Sequence, residues 1–217
     1  MANTEREITI YARVGDPDGL NQADAVEQHE QWEVRLPVIG ENSAKRRQRV
    51  RETISDGVSR FDETIKIDID GETAVQSTIE VSTPIEADYF EAWKQHFGER
   101  GVLKTRYTFH AKKVSVTMEG KEIEIPNIKY EVDIFRTETG ERSRWCKIDV
   151  EIDSLLDFLD RKGISFDDVE MVVKVTHLPF KPEQCFLHSV GNEQHDQSVK
   201  KFWDAFQLKK KESNNGR

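Results

Sequence analysis

The chain is poor in the features that define secreted and membrane-spanning proteins. Its 217 residues include two cysteines, Cys146 and Cys185, and neither lies in a CxxC pair. No segment approaches the roughly 20 apolar residues of a membrane-spanning helix, and Met1–Tyr11 is charged, unlike a signal peptide. We therefore expect a cytoplasmic protein with free thiols and no membrane partner. Zinc bound by thiolates is not expected either.

Common catalytic and nucleotide-binding motifs are also missing. The sequence contains no P-loop, no GxGxxG and no GxSxG, and its six histidines have no HExxH or other metal-binding spacing. Glycines follow aspartates in turn-like pairs such as Asp18-Gly19 and Asp70-Gly71. We therefore do not expect zinc chemistry at the histidines or a glycine-rich phosphate-binding loop.

The composition is polar and acidic. Hydrophobic residues make up 36% and charged residues 34% of the chain, and the net charge is −9. A negative protein does not offer the broad positive surface that nucleic acids or anionic membranes require, although a local basic pocket is compatible with it. The length fits one domain, which we place at residues 1–208, followed by a disordered polar tail at 209–217.

Alternation of apolar and polar residues dominates the middle of the chain and predicts β-strands. In the last strong example, Ile148 and Val150 alternate with Lys147, Asp149 and Glu151. The strong patterns cover residues 31–36, 47–51, 61–69, 103–109, 130–134 and 147–153. Weaker ones cover residues 8–14, 73–81, 113–118 and 170–176.

Three helices are predicted beside these strands. The first begins at Thr83-Pro84-Ile85-Glu86 and ends at Gly98 or Gly101. A short second helix begins at Ser154, and a third follows Asp196. Many strands with few helices predict an α+β protein, with a closed or nearly closed antiparallel barrel of eight strands and helices packed outside it.

The arginines of residues 47–51 are the first unusual charge pattern. Arg47, Arg49 and Arg51 fall on one face of one predicted strand, where they repel each other unless an anion or facing carboxylates compensate them. A solvated strand face is the ordinary explanation of polar alternation, but such faces usually mix residue types. Cations confined to one strand therefore favour a bound anion.

Carboxylates form the complementary pattern on later strands. Glu131 with Asp133, and Asp149 with Glu151, project to the same side two residues apart and require a cation. Arginine forks and lysines bind phosphate oxygens, whereas hard divalent cations take carboxylate oxygens. A polyphosphate with Mg²⁺ or Mn²⁺ satisfies both sets.

These motifs resemble, in order, those of the CYTH superfamily, the triphosphate tunnel metalloenzymes. The resemblance runs from about residue 31 to 153 and rests on Arg49-Val50-Arg51, Glu63-Thr64-Ile65-Lys66, Tyr130-Glu131-Val132-Asp133-Ile134-Phe135 and Ile148-Asp149-Val150-Glu151-Ile152. The family implies an eight-stranded tunnel that holds a triphosphate on basic side chains and metal on acidic ones.

Carried over by residue, the resemblance implies a phosphate-binding set, a metal-binding set and a catalytic set. The phosphate-binding residues would be Arg35, Arg49, Arg51, Lys66, Lys104, Arg106 and Lys147. The metal ligands would be Glu33, Glu131, Asp133, Asp149 and Glu151. The catalytic residues would be Glu33, Arg35 and Lys66.

The chain departs from the family at its opening signature, Glu-x-Glu-x-Lys. We match it to residues 31–35, where Gln31 replaces the first glutamate and Arg35 the lysine. A competing match begins at Glu5 and has Thr9 in place of the lysine. The replacement of this glutamate removes part of the expected metal site, which affects catalysis more than binding. Residues from Leu178 onward match nothing in the family.

The expected activity is metal-dependent hydrolysis of a triphosphate-containing compound, such as inorganic triphosphate, a nucleoside triphosphate, thiamine triphosphate or an RNA 5′-triphosphate. One alternative is a weak or inactive relative that binds a nucleotide, polyphosphate or RNA end. Adenylyl cyclase activity and a structural domain with a solvated charged face are further alternatives. We expect a monomer or homodimer.

Overall fold

The computed structural model describes residues 2–14, 17–36, 46–68, 76–118, 121–151, 161, 172–174, 182–187 and 207–208. Strands dominate these residues. They are β1 (Ala2–Val14), β2 (Ala25–Leu36), β3 (Arg46–Ser55), β4 (Val58–Asp68), β5 (Gln76–Pro84), β6 (Arg100–Met118), β7 (Lys121–Arg136), β8 (Arg142–Glu151), β9 (Val172–Lys174), β10 (Pro182–Leu187) and β11 (Gln207–Leu208). A 3-10 helix spans Pro17–Gln22, and the helix α1 spans Ala87–His96.

The eight long strands belong to one antiparallel sheet, as the alternation predicts. Its order is β10-β1-β5-β4-β3-β2-β6-β7-β8, and the short β9 and β11 pair with β6. The first strand changes partner along its length, because Ala2–Glu7 pairs with β5 and Glu7–Arg13 pairs with β8. These two ladders share only Glu7. The predicted antiparallel sheet of eight strands is therefore confirmed, whereas continuous closure by hydrogen bonds is not.

One face of the sheet packs against α1. Trp32 on β2 lies opposite Val50 on β3, and both join Phe90, Trp93 and Leu208 in a buried cluster. A side chain on Gly101 would meet the ring of Trp32 at 2.7 Å, so glycine is required there for the tryptophan to lie flat on β6. We call this face the outer face.

The opposite, inner face follows from the two-residue period of the strands. It carries Gln31 of β2, Arg51 of β3 and Val102 of β6, which form one row across the sheet. Val102 packs with Tyr11, Phe135 and Trp145 in a second apolar cluster. The inner face therefore carries an apolar cluster around Val102 next to polar and charged side chains such as those of Gln31 and Arg51.

The first predicted helix starts later than expected. Strand β5 continues through Thr83 and Pro84, which pair with β4, and Glu86 becomes the N-cap without a side-chain cap hydrogen bond. Pairing with β4 thus overrides the local capping signal. Apart from residue 161, which is helical, the predicted helix at 154–163 lies outside the described residues, as do the predicted helix after Asp196 up to residue 206 and the predicted tail. No described helix has the length and apolarity needed to cross a membrane.

Candidate anion-binding interior

Arg47, Arg49 and Arg51 of β3 share the inner face, as predicted, and each has an acidic or hydroxyl partner. Arg47 Nη2 lies 3.2 Å from Asp68 Oδ1, and Arg51 Nε lies 3.0 Å from Asp62 Oδ2. Arg49 donates to Thr64 Oγ1 at 3.1 Å. The carboxylates of β4 therefore offset part of the repulsion among the arginines.

Arg49, Lys66 and Glu80 form a compact ion cluster on β3, β4 and β5. Lys66 Nζ lies 2.6 Å from Glu80 Oε2, and Arg49 Nη2 lies 3.5 Å from Glu80 Oε1. Burial, together with the nearby charge of Arg51, lowers the pKa of Arg49 to about 10 despite Glu80. The buried Nε of Arg49 has no hydrogen-bond partner among the described residues. The cluster therefore does not fully compensate this guanidinium.

Asp133 on β7 is the centre of the second ion cluster. It is completely buried and accepts from Lys104 Nζ at 2.6 Å and from Arg106 Nε at 2.7 Å. Arg106 also pairs with Glu131. Burial would raise the pKa of Asp133, but Arg106 and Lys104 hold it well below its usual range. Burial and Arg106 lower the pKa of Lys104 to about 7 even with this partner.

A third cluster joins β8 to β1. Asp149 accepts from Lys147 Nζ at 2.6 Å and from Thr9 Oγ1 at 2.8 Å. Glu131 lies opposite Asp149 in the pairing of β7 with β8, and Glu151 lies opposite Glu7 in the pairing of β8 with β1. Carboxylate-bearing positions of β7, β8 and β1 are thus neighbours in register.

These clusters act on each other across β2. The charge of Arg106 on β6 contributes to the lowered pKa of Arg49 on β3. His29 on β2 is 1% exposed, and its pKa is lowered to about 2 by burial and then by Lys104, Arg106 and Arg51. The cations of both sides therefore share one electrostatic environment.

The structure brings together most of the predicted phosphate-binding residues. Six of them lie on the inner face with buried or partly buried side chains, namely Arg49, Arg51, Lys66, Lys104, Arg106 and Lys147. Glu33 lies opposite Arg49 on the same face, whereas Arg35 lies opposite Arg47 and is exposed. The predicted catalytic residues Glu33 and Arg35 thus share the inner face of β2, and the third, Lys66, lies opposite Arg47 on β4.

The sequence did not identify several partners of these charges. Thr9, His29 and Glu80 were missed, and each lies on a different strand from the side chain that it contacts or influences. Each of the three lies two residues from another polar residue of the inner face, and this spacing in the sequence could have placed them on that face. Thr9 also belongs to the competing signature match, and the structure pairs that strand, not residues 31–35, with β8.

The carboxylates fit a divalent cation only in part. Within the described ranges, no group of three or more His, Cys, Asp or Glu side chains is arranged to hold a metal ion. Glu131 and Asp149 are the nearest approach to a site, because they are adjacent in register. Mg²⁺ is usually held by one or two carboxylates together with substrate phosphates, so this pair suits a site completed by the substrate.

The fold and these charges define an antiparallel β-protein with a charged inner face, and no family model or curated sequence matches the chain. Similar solved structures include two Pyrococcus horikoshii proteins. PH1819 is 17% identical over 73% of this chain and 91% of that chain (TM-score 0.44), and PH1012 is 17% identical over 76% and 94% (TM-score 0.42). A Hippeastrum protein described as an adenylyl cyclase with dominant triphosphatase activity is 14% identical over 74% and 88% (TM-score 0.36). At these values none of them assigns a family or an activity to this chain.

Proposed function

We propose that the inner face encloses a site for a linear triphosphate and that the chain hydrolyses a triphosphate-containing compound with the aid of Mg²⁺ or Mn²⁺. The observation that carries the proposal is the burial of Lys104 and the partial burial of Arg49. Each has a carboxylate partner, yet the pKa of each is lowered. Buried cations that remain undercompensated are stabilised by an anion.

The basic residues on both sides of β2 would share the contacts with the phosphate groups. Arg49 and Lys66 on one side of β2, and Lys104 and Arg106 on the other, supply donors from strands that flank a single interior. Arginine forks suit bidentate contacts with phosphate oxygens, and lysines act as point charges. Such positioned donors lower the cost of charge that develops on the phosphoryl oxygens during transfer.

Glu131 and Asp149 are the described residues that would hold a divalent cation together with the phosphates. When bound, such a cation supplies charge neutralisation and a more acidic water molecule. Lys147 and Thr9 hold the Asp149 carboxylate by hydrogen bonds and fix its orientation before the substrate arrives. Arg106 does the same for Glu131.

The direct experiment measures phosphate release from inorganic triphosphate, ATP, thiamine triphosphate and 5′-triphosphate RNA with Mg²⁺ or Mn²⁺. Release from at least one substrate should fall by tenfold or more in Asp149→Asn and stay unchanged in Asp88→Asn, since Asp88 is exposed on α1. Equal activity in the two variants would show that the hydrolytic site is elsewhere. Cyclic AMP is measured in the same reactions to detect cyclase activity.

A second candidate function is binding of a polyphosphate or nucleotide without turnover. It is favoured by the partners of the carboxylates, because Asp133 and Asp149 already accept hydrogen bonds from lysines of the chain itself. A metal would have to displace or share these donors. Calorimetric binding of tripolyphosphate without phosphate release over several hours would select this function.

A further inference from the structure

His29 is a buried imidazole on the inner face of β2. It lies opposite Lys104 of β6 and Thr53 of β3, three residues before Trp32, which is on the outer face. An odd separation along a strand puts two side chains on opposite faces. The imidazole, 1% exposed, is therefore enclosed on the same side as the candidate phosphate-binding cations.

One nitrogen of His29 is paired and the other is not. Nε2 lies 3.2 Å from Glu27 Oε2. A carboxylate accepts hydrogen bonds, so the neutral ring carries its proton on Nε2 and leaves Nδ1 as an acceptor. Nδ1 is buried and has no hydrogen-bond partner among the described residues. A buried, unpartnered polar atom in a native site calls for an explanation, such as a missing ligand.

The surroundings of the ring explain why it is neutral without a ligand. Burial is the largest cause of the lowered pKa of His29; the charges of Lys104 and Arg106 on β6 and Arg51 on β3 add to it, and Asp133 on β7 opposes them only in part. These three cations are among the candidate phosphate-binding residues. An anion that binds them would therefore offset their charges, and an anion oxygen at the unpartnered Nδ1 would compensate the imidazolium for its burial.

We infer that His29 is a proton-linked ligand contact that takes up one proton when a polyphosphate anion enters the interior. The inference rests on the proposed triphosphate site and adds a binding residue to it. The proton comes from solvent and bonds to Nδ1, which changes from an acceptor into a donor to a phosphate oxygen. Nε2 keeps its proton and its hydrogen bond to Glu27, whose carboxylate stabilises the imidazolium.

The test is calorimetry of tripolyphosphate binding to the full chain near neutral pH, in two buffers with different ionisation enthalpies. Wild type should take up more protons than His29→Gln, with a difference that approaches one proton per bound anion. Its affinity should rise by up to tenfold for each unit by which the pH is lowered, relative to the variant. His96→Gln, the same change on α1, should match wild type.

The outcomes separate this inference from the proposed function. Tripolyphosphate binding with equal proton uptake in wild type and His29→Gln overturns the role of His29 and leaves the triphosphate site standing. No binding by wild type overturns both. If His29→Gln does not fold, imidazole NMR of wild type gives the answer, because tripolyphosphate should convert the resonances of one buried histidine to those of an imidazolium. Their persistence as a neutral ring at saturation would contradict the inference.

Discussion

Asp133 shows how single residues allow this sheet to enclose so much charge. A buried ion pair gains little over an apolar pair, but a buried charge left without its partner is costly. Asp133 is shared by Lys104 and Arg106, so one carboxylate compensates two buried cations. The sequence predicted Asp133 as a metal ligand, and any metal would have to compete with these two donors.

We predict that Asp133→Asn lowers the free energy of unfolding by about 3–5 kcal/mol, because it leaves Lys104 and Arg106 buried without this charge. Urea unfolding near neutral pH measures the change. The control is Asp88→Asn, an exposed change on α1 that should alter stability far less. Near-equal stability of Asp133→Asn and wild type would show that other carboxylates compensate these cations.

His29 gives a prediction about pH. Its pKa is about 2 in the folded chain and near 6.5 in the unfolded chain, so the unfolded chain binds the extra proton between these values. The stability associated with the neutral ring is present above the unfolded pKa and is lost as the pH falls below it, by at most about 1.4 kcal/mol per pH unit. In His29→Gln, stability should fall less steeply from about pH 6.5 to about pH 5. Parallel curves for the two proteins in urea unfolding would refute the burial of a neutral imidazole.

At the scale of elements, alternation predicted which residues share a face but not which strands are neighbours. The face of Arg47, Arg49 and Arg51 was predicted because the two-residue period of a strand depends only on local sequence. Pairing partners depend on distant residues, so the assignment of the opening signature to Gln31–Arg35 rested on a short motif alone. In the structure, β8 pairs with β1 and not with residues 31–35, and Thr9 of β1 lies opposite Asp149.

Helix α1 provides a test of the outer face. Phe90 is 1% exposed and packs on Phe61 of β4 with ring centroids 5.4 Å apart, whereas Phe97 at the end of the helix is 61% exposed. Phe90→Ala should cost about 3–5 kcal/mol of unfolding free energy. Phe97→Ala, the matched control, should cost much less. Similar losses in urea unfolding would mean that α1 does not pack as described.

At the scale of the whole molecule, the distribution of charge matters more than its total. The chain carries a net charge of −9, yet arginines and lysines of β3, β4, β6 and β8 meet on one inner face. Composition alone excluded a broad basic surface but could not reveal this local one. Alternation predicted that the basic residues of a strand share a face, whereas the partners Glu80 and Thr9 required knowledge of which strands pair, and Thr9 lies 140 residues from Asp149.

The last prediction distinguishes the effect of the inner-face cations on anion binding from the effect of the net charge. At a hundredfold excess over its dissociation constant, tripolyphosphate should add about 2.7 kcal/mol to the unfolding free energy of wild type. Arg49→Gln should retain the fold, since Lys66 still pairs with Glu80, but it should lose most of this added stability at the same tripolyphosphate concentration. Arg144→Gln changes the net charge equally on the exposed, opposite face of β8 and should keep it. Equal losses in the two variants would attribute binding to overall charge, because a specific contact with Arg49 cannot be mimicked by an arginine on the other side of the sheet.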